Sequence, residues 1–499
     1  MKKRWVWLWV PIVLLGLLIW SVPALLRAMP DRYVARLPEP LQQLGAPQTE
    51  SAVLPTLAQP VDASWLLAAT STAVSPTDVP IPATLTPIAT QVVPETAVSP
   101  TATPQPSPTP SPTPTATPWP IPPAARLEGI THKFQTWNNC GPATLAMTLS
   151  YFGYAVTQDD TASVLKPDPE DRNVSPDEMA AYVNGQTPYR ALYRTNGTQQ
   201  TVQRLLANGI PVIVEIGIDP PGEYRWLGWY GHYLLVVAYD EAQQQFWVYD
   251  SWFGTSEEPL TNANENGRVL SFADFATYWP HFNRNYIALY EPAQADLVAA
   301  IIGADMDTEV MWQHALTVAQ EEAAAAPDNA FFWFNLGTSY NALHQYDKAA
   351  AAFDQALAIG LPWRMLWYQF GPYEAFYQVG RYEDVVLLAD TTLQDRPYFE
   401  ESYYYKGLAL TALGQTDEGR ANLERAAAFN PNFAPAQIAL EEIEIKDRIA
   451  RSFEDAYEYK NTKHHFGCRF AGSDFNGGHF WPAACGACAA RCLLCAFAK

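Results

Sequence analysis

Cys140 is the only cysteine in the first 467 of 499 residues, and it stands in Gln135-Thr-Trp-Asn-Asn-Cys-Gly-Pro-Ala-Thr-Leu-Ala-Met147. A lone thiol at the mouth of an apolar helix, with a glutamine just upstream, has the parts that thiol acyl-transfer chemistry requires. Pro142 to Phe152 predicts that helix, with Pro142 in the first turn, where its missing N–H costs nothing, and Gly153 as the C′ stop. The sulfur then faces the positive end of the helix dipole, which favours the nucleophilic thiolate. The competing reading is a structural cysteine, since unpaired cysteines are among the most buried residues.

A cysteine nucleophile needs a base within hydrogen-bond reach and a third group to hold that base. Of the eight histidines, His232 is placed best, in Gly231-His-Tyr-Leu-Leu-Val-Val-Ala-Tyr-Asp240 at the mouth of a predicted strand. Asp250 ends the next strand, and both residues lie nine positions from Glu241 in the turn between them. Positions equidistant from the turn of an antiparallel hairpin face one another, which places the Asp250 carboxylate beside the imidazole. An aspartate there selects the tautomer and stabilises the imidazolium paired with a thiolate. For the tetrahedral oxyanion, the Cys140 backbone N–H supplies one donor and the Gln135 side-chain amide can supply the second. The aromatic residues Tyr224, Trp226, Trp229, Tyr230, Trp247, Trp252 and Phe253 flank this site and read as core, not as substrate contacts.

The elements that must position these residues lie between 127 and 292. After the Cys140 helix comes a second helix with Ser175 as N-cap and Pro176 at N1, then a short one over Thr201–Ala207. Pro211–Ile216, Tyr233–Tyr239, Phe246–Tyr249 and Asn285–Tyr290 read as strands. A leading helix and a mainly antiparallel sheet make an α+β domain.

The rest of the chain is modular. Met1-Lys-Lys-Arg4 precedes an uncharged apolar run from Trp5 to Leu26, long enough to cross a bilayer and oriented N-in by the basic residues. We read 5–26 as an uncleaved transmembrane anchor in preference to a cleaved signal peptide. Residues 48–123 are rich in Pro, Thr and Ser, and read as a disordered stalk reaching on the order of 100–200 Å in polyproline II. Between 310 and 450, Trp333, Leu336, Gly337, Tyr340, Ala349, Phe353 and Ala356 recur in register with Gly407, Leu410, Gly419, Leu423 and Ala426. This resembles an all-α tetratricopeptide array of three to four units, which serves either as a protein-binding face or as a rigid spacer. The tail 463–499 holds five cysteines, including Cys485-Gly-Ala-Cys488 and Cys492-Leu-Leu-Cys495. The three-residue gap between the pairs is short for a zinc site, and the tail reads as unstructured or as the product of a shifted reading frame. A formal net charge of −21 argues against nucleic-acid binding, and no GxxxxGK[ST] phosphate loop is present.

Gln135…Cys140-Gly-Pro-Ala-Thr-Leu-Ala-Met with Phe152-Gly153, then Gly209-Ile-Pro211-Val-Ile-Val, Gly231-His-Tyr and Tyr249-Asp250, resembles the C39-like peptidase family, whose fold is papain-like. The resemblance covers about Ile130 to Tyr290. It implies Cys140 as nucleophile, His232 as general base, Asp250 as its orienting partner and Gln135 as oxyanion donor, with no cofactor and no metal. Family members often place the glutamine six residues before the cysteine; here the spacing is five, and Asn138 or Asn139 could share its role. The expectation is a bacterial-type, single-pass plasma-membrane protein with extracytoplasmic domains that hydrolyses peptide or protein substrates through a thioester and binds a protein partner through its repeats. Two rivals are a catalytically silent peptide-binding scaffold and an acyltransferase using the same triad.

Overall fold

The computed structural model describes residues 20–26, 29, 37–45, 53–57, 63–68, 121–218, 228–252 and 266–467. Residues 5–19 of the apolar run 5–26 fall outside these residues, as do most of the stalk and the cysteines of the tail. No helix among the described residues is long and apolar enough to cross a membrane. The chain divides into two compact units, 1–440 and 441–499. All that follows concerns the first.

Seven strands form one antiparallel sheet: β1 (Ala124–Arg126), β2 (Arg190–Arg194), β3 (Val212–Ile218), β4 (Tyr230–Asp240), β5 (Gln245–Asp250), β6 (Arg268–Ser271) and β7 (Tyr286–Tyr290). Their order is β2-β7-β3-β4-β5-β6, with β1 pairing the distal end of β4, beyond the point where β3 stops. The apolar strands alternate between two cores because successive side chains leave a strand on opposite faces. Ile213, Leu235, Val237 and Ile287 pack against Leu145, Met147 and Leu149 of the Cys140 helix. Val214, Leu234, Val236 and Val248 pack on the other side against Val202, Leu205 and Leu206 of the helix Gln199–Ala207. Strands β3 and β4 are thus buried on both faces, as their near-continuous apolar runs require. The sheet begins just before 127, since β1 occupies the three residues that follow the segment read as stalk.

The hairpin register differs from the symmetric one. Asp240 pairs with Gln245 across a four-residue turn, and the register shifts between Val236 and Ala238, so Asp250 faces Leu234 and not His232. A β-bulge accommodates one extra residue on one strand and moves everything beyond it by one position. The two-residue offset between Leu234 and His232 preserves the face, however. His232 and Asp250 are diagonal neighbours on one side of the sheet, still within side-chain reach.

The helical region is built from antiparallel pairs: Ala330–Ala342 with Tyr346–Ile359, Gly371–Gln378 with Tyr382–Asp395, and Glu400–Ala412 with Thr416–Phe429. A long helix, Thr308–Ala325, precedes them. The repeat glycines are there for close approach: a Cβ on Gly337 would sit 2.6 Å from the Phe353 ring, and one on Gly407 2.7 Å from Leu423. The middle pair departs from the pattern. Its first helix has only eight residues, and the chain before it, from Leu361 to Phe370, contains a 3-10 turn, Met365–Trp367.

Part of the expected stalk is packed against these repeats. Leu54, Leu57, Ala63 and Leu66 are fully buried in the helical core, Leu54 being 1 % exposed. The Leu54 N–H donates to the Leu361 carbonyl at 3.0 Å, and Val53 bridges Pro362. Pro/Thr-rich composition predicts no core here, but three leucines at open apolar seats offset the ordering cost of a short strap, at roughly 1.5–3 kcal/mol for each buried leucine. The chain between the apolar run and the strap is therefore residues 27–52, which span at most about 90 Å when fully extended.

Candidate active site

Cys140 is the first residue of the helix Cys140–Ser150, with Asn139 as N-cap and no side-chain cap. The first-turn N–H groups of a helix have no partners within it, so the Cys140 N–H is available to an oxyanion. Cys140 is half-buried, with the His232 imidazole close enough to act on its thiol. The Nε2 of His232 lies 2.8 Å from Asp250 Oδ1, which leaves Nδ1 for the thiol. His232 is 2 % exposed and Asp250 fully buried. The structure therefore brings together Cys140, His232 and Asp250, from a helix mouth and two neighbouring strands.

The electrostatics favour the ion pair. Burial pushes the Cys140 thiol up, but the hydrogen bond and charge of His232 and the backbone N–H groups of Tyr233 and Gly141 outweigh it, and the net shift is down. Burial pulls His232 down, but the Asp250 carboxylate and then Cys140 push it up to about 10. Asp250 is itself held in place: the Trp252 N–H donates to its Oδ1 at 2.8 Å, and Arg268 Nη2 is 3.2 Å from its Oδ2.

Gln135 is anchored beside the same strand end. Its backbone N–H donates to the Ser251 carbonyl at 2.9 Å, and Ser251 Oγ donates to its Oε1 at 2.8 Å. Holding the oxygen leaves the amide nitrogen, which has no hydrogen-bond partner among the described residues, as the donor. Asn138 and Asn139, the alternatives for that role, are occupied: Asn138 Nδ2 donates to the Glu170 carbonyl at 3.3 Å and Asn139 Nδ2 to Thr136 Oγ1 at 2.8 Å. The five-residue spacing is thus compatible with a donor at Gln135.

Arg268 and Ser251 are supporting residues that sequence reasoning missed. Ser251 directly follows Asp250 and was open to inspection; Arg268 lies on β6, a four-residue strand with no apolar alternation to announce it. A third unforeseen group is Glu215 on β3, buried and bonded to Asn285, whose Nδ2 donates to Glu215 Oε2 at 2.8 Å. Burial raises Glu215 to about 8, opposed by the Asn285 hydrogen bond and assisted by the Cys140 thiolate. The folded state therefore holds this proton more tightly than the unfolded chain. Stability from Glu215 is complete below about pH 4.5 and is lost as pH rises through about 8, with a slope of up to about 1.4 kcal/mol per pH unit. Glu215→Gln removes that slope, so the fall in Tm between pH 5 and pH 8, read by calorimetry, becomes smaller in the variant.

Trp229, Tyr230 and Trp252 of the flanking aromatic cluster lie around this site; Tyr224, Trp226 and Phe253 are outside the described residues. Trp252 packs edge-on to both His232 and Tyr230, with ring centroids 6.2 and 5.8 Å apart. No group of His, Cys, Asp and Glu among the described residues is arranged to hold a metal ion.

Residues 121–287 match the Peptidase_C39 like family, and residues 332–359 match the tetratricopeptide repeat. No curated protein matches this chain significantly. Among solved structures, MamA shares 17 % identity over 33 % of this chain and 97 % of its own, with a TM-score of 0.25. A MamA RS-1 ArsTM double mutant shares 16 % over 31 % and 87 %, also at 0.25. A candidate C39-like peptidase from Bacillus anthracis shares 15 % over 33 % and 96 %, at 0.24. A C39-like domain followed by a tetratricopeptide repeat is what the sequence profiles find.

Proposed function

We propose that this chain is a cysteine peptidase that cleaves peptide bonds through Cys140, His232, Asp250 and Gln135. The observation that carries the reading is the buried His232–Asp250 contact of 2.8 Å, in a histidine whose charge acts on a thiol at a helix mouth. In the resting site the thiolate faces the imidazolium. The sulfur attacks the substrate carbonyl, and the oxyanion is received by the Cys140 N–H and the Gln135 amide. His232 then gives its proton to the leaving amine, and the thioester remains on Cys140. Neutral His232 draws a proton from water, which hydrolyses the thioester and restores the pair.

The repeats support protein binding as a second role, since stacked helix pairs present an extended surface. We also propose that the run Trp5–Leu26 anchors the chain in the plasma membrane with its domains extracytoplasmic; the basic Met1–Arg4 segment before an uncharged stretch supports that reading. The strap then keeps the helical region within the reach of residues 27–52.

Mass spectrometry of a mixed peptide pool incubated with the full chain tests the activity. The expected products are pairs of fragments whose masses sum to a substrate plus water, absent with Cys140→Ser. Products joined to an added amine would instead assign acyl transfer. An unchanged pool, with Cys140 alkylated no faster than in His232→Ala, would leave only the scaffold role.

A further inference from the structure

The stretch of β4 that carries His232 has a strand neighbour on one side only. β5 ends at Asp250, opposite Leu234, so among the described residues Tyr230–Tyr233 pair with β3 alone. Backbone with few partners opens locally more readily than backbone inside a sheet. Yet the His232 imidazole must stay within reach of both Asp250 and Cys140 to work as a base.

The second support comes from the repeats. Their irregular segment Leu361–Phe370 sets Arg364 against the first residues of β4: its Nη1 donates to the Trp229 carbonyl at 3.0 Å, and its guanidinium lies 3.9 Å from the centre of the Tyr230 ring. Arg364 is 5 % exposed, so both contacts are made away from water, where a charged hydrogen bond and a cation over an aromatic face are strongest. On the other face of the strand, Gly231 is pinched: a Cβ there would sit 2.5 Å from the Phe282 ring and 3.1 Å from Tyr368. Trp229 and Phe282 stack with centroids 5.7 Å apart and belong to the helical core, not to either core of the sheet.

The path from Arg364 to the site is short. Tyr230 and His232 leave β4 on the same face, two positions apart. The Tyr230 ring, held by Arg364, packs edge-on to Trp252 at 5.8 Å, and Trp252 packs edge-on to His232 at 6.2 Å. The Trp252 N–H donates to Asp250 Oδ1 at 2.8 Å, so one residue both faces the base and secures its orienting partner.

We propose that Arg364, supplied by the repeats, is a positioning residue for His232, and that the C39-like domain keeps its triad assembled only with the repeats docked on β4. The proposal rests on the peptidase reading above. It gives the repeats a part in the reaction besides protein binding. Arg364 touches no reacting atom; it acts through Tyr230, Trp252 and the backbone ahead of His232.

The test follows alkylation of Cys140 by iodoacetamide against pH, in the full chain, read on the Cys140 peptide by mass spectrometry. The thiolate displaces iodide and forms a C–S bond, so the rate reports the ionised thiol and through it the pairing with His232. Arg364→Met is expected to lower the rate at pH 6.5 about tenfold, moving the profile about one pH unit toward base. Tyr230→Leu keeps the Arg364 hydrogen bond but removes the ring between Arg364 and Trp252; it should move the profile the same way, and it serves alone if Arg364→Met does not fold. Arg381→Met is the control. It breaks two hydrogen bonds to the buried Asp354 elsewhere in the repeats, at 2.7 and 3.0 Å, and should leave the profile on that of wild type. Folded Arg364→Met and Tyr230→Leu proteins that both follow the wild-type profile, or an Arg381→Met profile displaced as far as theirs, would overturn the positioning role. A His232→Ala profile that coincides with wild type would instead defeat the peptidase reading itself.

Discussion

Replacing Asp250 by asparagine lowers kcat/KM for a cleaved peptide about 10,000-fold with little change in fold. Asp250 Oδ1 is an acceptor only, so it fixes a proton on His232 Nε2 and turns Nδ1 toward Cys140. An asparagine of the same shape can present its NH2 there, which moves the ring proton to the wrong nitrogen. It also removes the charge that opposes burial at His232, so the imidazole falls from about 10 toward and below its ordinary range. The thiolate loses its counter-ion at neutral pH. Arg268 is partly exposed and turns to solvent when its carboxylate is removed. The sign of the stability change follows from the raised His232. Its contribution is fully present below about pH 6.5 and is lost as pH rises through about 10, so wild type and variant differ most in Tm in acid and converge in base. Steady-state kinetics and calorimetry across that range check both parts.

His232→Ala should cost about 10,000-fold or more in turnover, because base, acid and counter-ion disappear together. The thiol responds in a way a purely structural histidine would not cause. Without His232, burial is opposed only by the N–H groups of Tyr233 and Gly141, and the Cys140 thiol moves up. A thiol in its ordinary range is only ~1 % ionised at pH 6.5. Alkylation at that pH should therefore fall by about a hundredfold, whereas near pH 10 the two proteins should differ much less.

Much of the site was legible because it lies on elements that announce themselves. The Cys140 helix carries Pro142 and Gly153 at its ends, and β3, β4, β5 and β7 are apolar runs bounded by turns. His232 and Asp250 were found from hairpin symmetry, yet the symmetry itself was wrong. The turn is centred between Ala242 and Gln243 and not on Glu241, which alone would set Asp250 opposite Leu235; the shift between Val236 and Ala238 brings it to Leu234, on the face of His232, and so permits the diagonal contact. Bulges leave no reliable mark in a single sequence. The short strands β2 and β6 were missed for a related reason: Arg190-Ala-Leu-Tyr-Arg194 and Arg268-Val-Leu-Ser271 lack the length that makes alternation visible.

Tertiary contacts account for the rest. Val53–Leu57 is extended because Leu361 and Pro362 offer it a backbone edge, and its leucines are buried because the helical core has seats for them. Local composition, dominated by Pro, Thr and Ala, points the other way. Arg364 meets Trp229 and Tyr230 across more than 130 positions of chain, a distance over which no periodicity operates. The repeat register was readable at Gly337 and Gly407, where helix packing leaves no room for a Cβ. The departure at Leu361–Phe370, which packs Arg364 and Tyr368 against β4, was not.

The most direct test of a thiolate–imidazolium pair at Cys140 is the pH dependence of its alkylation by iodoacetamide, followed on the Cys140 peptide from pH 4 to pH 10. The account predicts that wild type reacts at a rate well below pH 9 that His232→Ala reaches only at alkaline pH, with the low-pH reactivity present because the pair is already ionised. Superimposable curves for wild type and His232→Ala, both rising only near pH 9, would contradict it.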